Sequence, residues 1–221
     1  MMVSLIKKDF LLAKKAIVRA LVISLIIIPF LIVNDGDNSF QNTRFGVFIF
    51  LYFVILMMVT WLSQVAVEEE KNPHAAALLC AAPYSRRNFV VAKYLCYLIL
   101  FAGCAILYSI IPALYQGLNF LNVTEFLLVF LVGTVSYGLY TTVAIKDGIA
   151  KARYVISVIL LLMVLVPFGI SSIFHHDLTS VMQFISNQSR AVLPVILGCV
   201  SALLFFIFMF ASIHCFEKKE L

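Results

Sequence analysis

The sequence predicts an all-α integral membrane protein with six transmembrane helices and both the N and C termini cytoplasmic. Three observations carry the prediction. Hydrophobic residues make up 63% of the 221 residues and charged residues only 12%, against roughly 45–50% and about 25% in an ordinary soluble domain. Runs free of Asp, Glu, Lys and Arg, long enough to cross a bilayer, recur along the chain. Fourteen of the 16 basic residues fall before the first span, after the last, or in alternate connections. A globule this apolar could not cover its surface with polar groups, which excludes a soluble enzyme. The 20 Phe and 9 Tyr exclude disorder, because disordered chains are poor in aromatics.

The elements follow in order. Val3–Lys15 places Ile6, Phe10, Ala13 and Ile17 at helical spacing, with Lys7, Lys8, Lys14 and Lys15 off that stripe. Such a segment is expected as an amphipathic interfacial helix, its apolar face in the head-group boundary. A span needs about 20 mostly apolar residues. The first covers about 16–33, because Arg19 sits one turn inside and can snorkel to the head groups. It is expected to be retained: no A-x-A-like cleavage site follows, and Asn34–Asn38 reads as an outer turn. The remaining spans cover about 46–67, 90–115, 125–145, 154–174 and 192–214, so residues 1–221 read as one transmembrane domain. Gln116, Gly117 and Asn119 mark the outer end of the third.

Cytoplasmic loops are enriched in Lys and Arg. Lys7, Lys8, Lys14, Lys15 and Arg19 precede the first span, and Lys71, Arg86, Arg87 and Lys93 border the second-to-third connection. Lys146, Lys151 and Arg153 lie between spans four and five, and Lys218 and Lys219 in the tail. The other three connections hold only Arg44 and Arg190. An even span count agrees with both termini inside. The net charge of +5 therefore reads as topology and contact with anionic lipid. Split among four short segments, it is no nucleic-acid footprint.

The connection Glu68–Lys93 is longer and more patterned than the bilayer requires. Glu68, Glu69 and Glu70 extend the second helix into water. Asn72 can cap a new helix that starts at Pro73. His74 follows, then the strong helix formers Ala75, Ala76, Ala77, Leu78, Leu79, Ala81 and Ala82. Pro83 ends it, and Ser85 can cap the third span with Arg86 and Arg87 at the interface. The pattern describes a short, nearly uncharged helix between two charged hinges, suited to docking against another surface or to lying on the membrane.

The order Glu69-Glu70-Lys71-Asn72, Leu78-Leu79, Pro83-x-Ser85-Arg86 and Val90-x-x-Lys93-Tyr94 resembles the ABC-2-type permease family, as does the opening Leu5–Asp9. These permeases are the membrane subunits of ATP-binding-cassette exporters. The chain departs from the family at His74–Ala77, where members often carry a more polar stretch. The resemblance implies that Asn72, Pro73, His74, Ala75, Leu78, Leu79, Ala82, Arg86 and Arg87 form a coupling helix that docks on a cytoplasmic ABC ATPase subunit. It implies force transmission through Glu68, Glu69 and Glu70, and a connecting helix that includes Ile6, Lys7, Lys8, Phe10, Lys14 and Lys15. It also implies ATP and Mg on the partner subunit, no cofactor on this chain, a second permease half (homodimer or heterodimer), and a bacterial plasma membrane. Small permeases of this kind serve exporters of antimicrobial peptides, bacteriocins and phenol-soluble modulins. Aromatic-rich, uncharged spans agree with an amphipathic peptide or other hydrophobic cargo.

Other chemistries find no support in the residues. Gly133 and Gly138 have a phosphate-loop spacing, but Leu139 and Tyr140 follow where Lys and Ser/Thr are needed. No ionisable group lies deep in any span, which argues against proton coupling. His175, His176 and Asp177 lack further ligands, and the five cysteines lack zinc spacing and are expected to be reduced. The Glu-Glu-x-x-x-Arg pattern of one class of membrane protease fails, because Pro73 or His74 stands at the Arg position. A non-transporting assembly or regulatory subunit remains the alternative to a permease. Ala105, Ser109 and Ala113, and Thr134, Gly138 and Thr142, form small-residue stripes. Either stripe can pack helices closely or line a path. Pro112 and Pro167 can kink spans three and five.

Overall fold

The computed structural model describes residues 2–34, 43–71, 86–114, 122–148, 151–162 and 192–218. Among these the backbone forms six helical segments and no strand. They are α1 (Met2–Asn34), α2 (Thr43–Lys71), α3 (Arg86–Leu114), α4 (Val123–Asp147), α5 (151–162) and α6 (Val192–Glu217). Arg87–Ile110, Val123–Asp147 and Val192–Glu217 are long and apolar enough to cross a membrane, and Phe50–Val65 is a shorter apolar stretch. The protein is thus an all-helical, multi-pass membrane protein. The expected outer turn after Asn34, the Pro167 kink and the segment 175–190 lie outside the described residues.

Two compact units divide the chain: residues 1–121 with 209–221, and residues 122–208. In the first, α1, α2 and α3 each pack against the other two. The centre of α2 is buried on nearly every side, through Phe50, Phe53, Val54, Ile55, Met57, Met58, Trp61, Leu62 and Val65. A helix apolar all round belongs in a core. Aromatic rings knit it to α3, with Phe50 centred 4.9 Å from Tyr108 and 6.0 Å from Phe101.

The N-terminal segment differs from the sequence expectation. No break in the helix separates an interfacial segment from a span; α1 is one helix from Met2 to Asn34. The physical reason is local, since no Gly or Pro interrupts residues 2–28, where the break was expected; Pro29 stands further along the same helix and removes one backbone donor there. Its buried face carries Leu5, Asp9, Ala13 and Ala20, and the Phe10 ring lies 6.4 Å from Trp61. The apolar stripe therefore packs on protein. Asp9 is 3% exposed, with its Oδ1 3.7 Å from the Lys8 Nζ. Lys7, Lys14, Lys15 and Arg19 are exposed. Arg19 turns back toward the N-terminus, its Nε donating to the Lys15 carbonyl at 3.3 Å, the direction a snorkelling side chain takes.

In the second unit α4 is central, with Val129, Gly133, Thr134, Ser136, Tyr137, Gly138, Tyr140 and Thr141 buried. It begins with the Asn122 N–H donating to the Glu125 carboxylate at 2.9 Å, which gives that carboxylate a capping role. It ends at Gly148, whose φ of +94° is open to glycine and strained for other residues. Beyond it the Ala152 N–H donates to the Gly148 carbonyl at 3.2 Å. Gly138 meets α6 closely: a Cβ there would lie 2.4 Å from the Phe208 Cγ.

Across both units, large apolar side chains face outward: Ile99 and Ile106 on α3, Val158 and Leu161 on α5, and Val195, Leu203, Phe206, Ile207 and Phe210 on α6. In water this surface would be an aggregation liability; in a bilayer it is the solvent contact. The hydroxyls follow the same logic. Thr60, Ser109, Thr141, Thr142, Ser157 and Ser201 each donate to a carbonyl three or four residues back in their own helix, so none is left unsatisfied in hydrocarbon.

Candidate functional site

The residues expected to carry function border the connection between α2 and α3. Asn72, Pro73, His74, Ala75, Leu78, Leu79 and Ala82 lie outside the described residues. Both edges of the connection are described. On one side α2 runs without a break to Lys71, so the backbone of Glu68, Glu69 and Glu70 is helical and continuous with the buried centre of α2. On the other side Arg86 is the first residue of α3 and Arg87 the second. Of the N-terminal set, Lys7, Lys14 and Lys15 are exposed, while Ile6, Lys8 and Phe10 are half-buried.

The start of α3 is held by the end of α6 through an ion pair, a ring stack and a buried hydrogen bond. The Arg87 Nε donates to the Glu217 Oε1 at 2.8 Å. Phe89 stacks on Phe216 with ring centroids 5.7 Å apart. The Lys93 Nζ lies 5.0 Å from the centre of the same Phe89 ring, so a cation faces the π-cloud that Phe216 also uses. Deeper in, the Tyr94 and Ser212 hydroxyls share a hydrogen bond of 3.0 Å, and both side chains are essentially fully buried. The pairs 87/217, 89/216 and 94/212 advance along α3 as they retreat along α6, the register of two antiparallel helices.

These contacts differ in kind. The ion pair is open to water, so salt screens it and it fixes geometry more than it stabilises. The Tyr94–Ser212 bond is enclosed, where an unmade hydrogen bond would cost more. The sequence reading placed Arg87 on the docking surface; in the structure its guanidinium is engaged within the chain. Ser212, Phe216 and Glu217 were missed as partners. A basic-aromatic start to α3 and an aromatic-acidic end to α6 are both visible in the sequence. Nothing local says that residues about 120–130 apart meet.

Among the described residues, no group of three or more His, Cys, Asp and Glu side chains is arranged to hold a metal ion. Gly133 and Gly138 are buried inside α4, in helical backbone that cannot wrap a phosphate. Cys96 and Cys104 are buried and unbridged, Cys199 is exposed and Cys215 half-buried.

Comparison with known proteins adds one finding. A family model described as "ABC-2 family transporter protein" matches residues 4–217, nearly the whole chain. No curated protein and no solved structure matches.

Proposed function

Since the chain belongs to the ABC-2 transporter protein family, and so is a membrane permease subunit that works with an ABC ATPase, we propose that it forms one half of an exporter. Its cargo is an amphipathic peptide or other hydrophobic molecule. Asn72–Ala82, with Leu78 and Leu79 at its centre, is the coupling helix that docks on the ATPase subunit, and the bound ATP and Mg belong to that subunit. A second permease half, identical or a sibling, completes the path. The assembly sits in the plasma membrane of a bacterium, with both termini inside.

The observation that carries the coupling reading is the unbroken α2. Its helix extends from the buried Phe50–Val65 core through Glu68–Glu70 to Lys71. A push on the following segment therefore reaches the bundle without a hinge. Apolar, outward-facing helices without midplane charges agree with a cargo that partitions from lipid.

The test is co-purification. Replacing Leu78 and Leu79 with Asp puts two charges on the apolar dock, and the ATPase subunit should no longer purify with the tagged permease. Retention of the ATPase at wild-type stoichiometry, with normal stimulation of its rate, would remove the coupling assignment.

A further inference from the structure

Resting on the docking reading above, we propose that the C-terminal end of α6 is a latch on the start of α3, with Arg87 and Glu217 as a positioning pair, so that displacement of the docking segment moves α3 and α6 together. Arg87, on this view, does not touch the ATPase.

The geometry supports a shared movement. The segment 72–85 joins α3 directly at Arg86. From Arg87 to Tyr94, α3 advances roughly 10 Å, and from Glu217 to Ser212 α6 retreats about 7 Å, at about 1.5 Å per residue. Contacts at both ends of that interval resist two different motions. The buried Tyr94–Ser212 bond, 3.0 Å long, resists separation, and the Arg87–Glu217 pair, 2.8 Å, resists swinging of the free end. Phe216 of α6 stacks on the Phe89 ring, which resists rotation of α3 about its own axis.

α6 is suited to move as a lever. It is a single helix over Val192–Glu217. Its residues Val195, Ile196, Leu203, Phe206, Ile207 and Phe210 are exposed and so are not locked into a close-packed core.

The test uses the assembled transporter, purified through a tag on this chain and reconstituted with the ATPase that accompanies it. Arg87→Glu and Glu217→Arg are each expected to lower the ATPase rate per complex severalfold, with the amount of bound ATPase unchanged. The double variant R87E/E217R restores the opposite charges and should recover most of the rate, which general damage to packing would not allow. Glu217→Gln, which loses the charge and keeps the shape, gives the same reading should a reversal reduce the yield of folded chain. Wild-type rates in both single variants overturn the latch, and so does failure of the double variant to recover. A loss of bound ATPase confined to Arg87→Glu overturns it as well, since Arg87 would then touch the ATPase. If the wild-type chain retains no ATPase at all, the docking reading itself fails, and the latch has no load to carry.

Discussion

Gly138→Ala is the sharpest probe of the second unit. An added Cβ would sit 2.4 Å from the Phe208 Cγ, 2.7 Å from its Cδ2 and 2.7 Å from its Cβ. Carbon atoms in good contact lie about 3.5–4.0 Å apart, so the shortfall is roughly 1 Å or more. A ring carbon can swing aside. The Phe208 Cβ cannot, because it moves only with its own backbone. The substitution must therefore separate α4 from α6, which costs about 1–3 kcal/mol, as overpacking of a close-packed contact does. The helix-propensity gain of Ala over Gly, at most about 1 kcal/mol, offsets part of this. Gly103 in α3 provides the control, because a Cβ there meets nothing within 4 Å, and Gly103→Ala should be neutral or slightly stabilising. Thermal unfolding of both variants in the same detergent should show Gly138→Ala melting lower by several degrees, at roughly 2–4 °C per kcal/mol. Adding Phe208→Ala should restore only part of the loss, since the Cβ contact remains. Equal melting of the two Gly→Ala variants would refute the close helix approach.

Tyr94→Phe removes the buried hydrogen bond to Ser212 and should cost about 0.5–1.5 kcal/mol. Ser212→Ala added to it should cost little more, and full additivity in thermal unfolding would show that the two hydroxyls do not act as a pair. For orientation, Cys introduced at Asn38 should react with an impermeant thiol reagent in intact cells and Cys at Lys219 should not; the reverse pattern would invert the topology.

Much of the fold is legible in the sequence because the bilayer imposes it. Lipid offers no hydrogen bonds, so an apolar run must be helical. Among the described residues, α3, α4 and α6 are accordingly helices long and apolar enough to cross a membrane. The count of six spans and the side on which the termini lie remain part of the proposal. The N-terminus was legible as a helix and illegible as a neighbour. Its apolar stripe through Phe10 and Ala13 suits a lipid surface and a protein surface equally, and only the packing beside Trp61 selects protein. The two small-residue stripes look alike as sequence. In the structure Gly138 and Thr134 are buried while Ser109 is exposed, a distinction that depends on which face another helix covers.

The Leu5–Asp9 opening and the order of acidic, Ala/Leu and basic residues after α2, read with the run of apolar segments, resemble the ABC-2 transporters to which the chain belongs, because composition and order are properties of one dimension. Which cation is free to meet a partner is a property of three. Arg87 reads in the sequence as one basic residue of a pair, and its guanidinium is bound to a carboxylate 130 residues away. That pairing exists only because α6 returns antiparallel to α3, and no local pattern of side chains encodes where a helix returns.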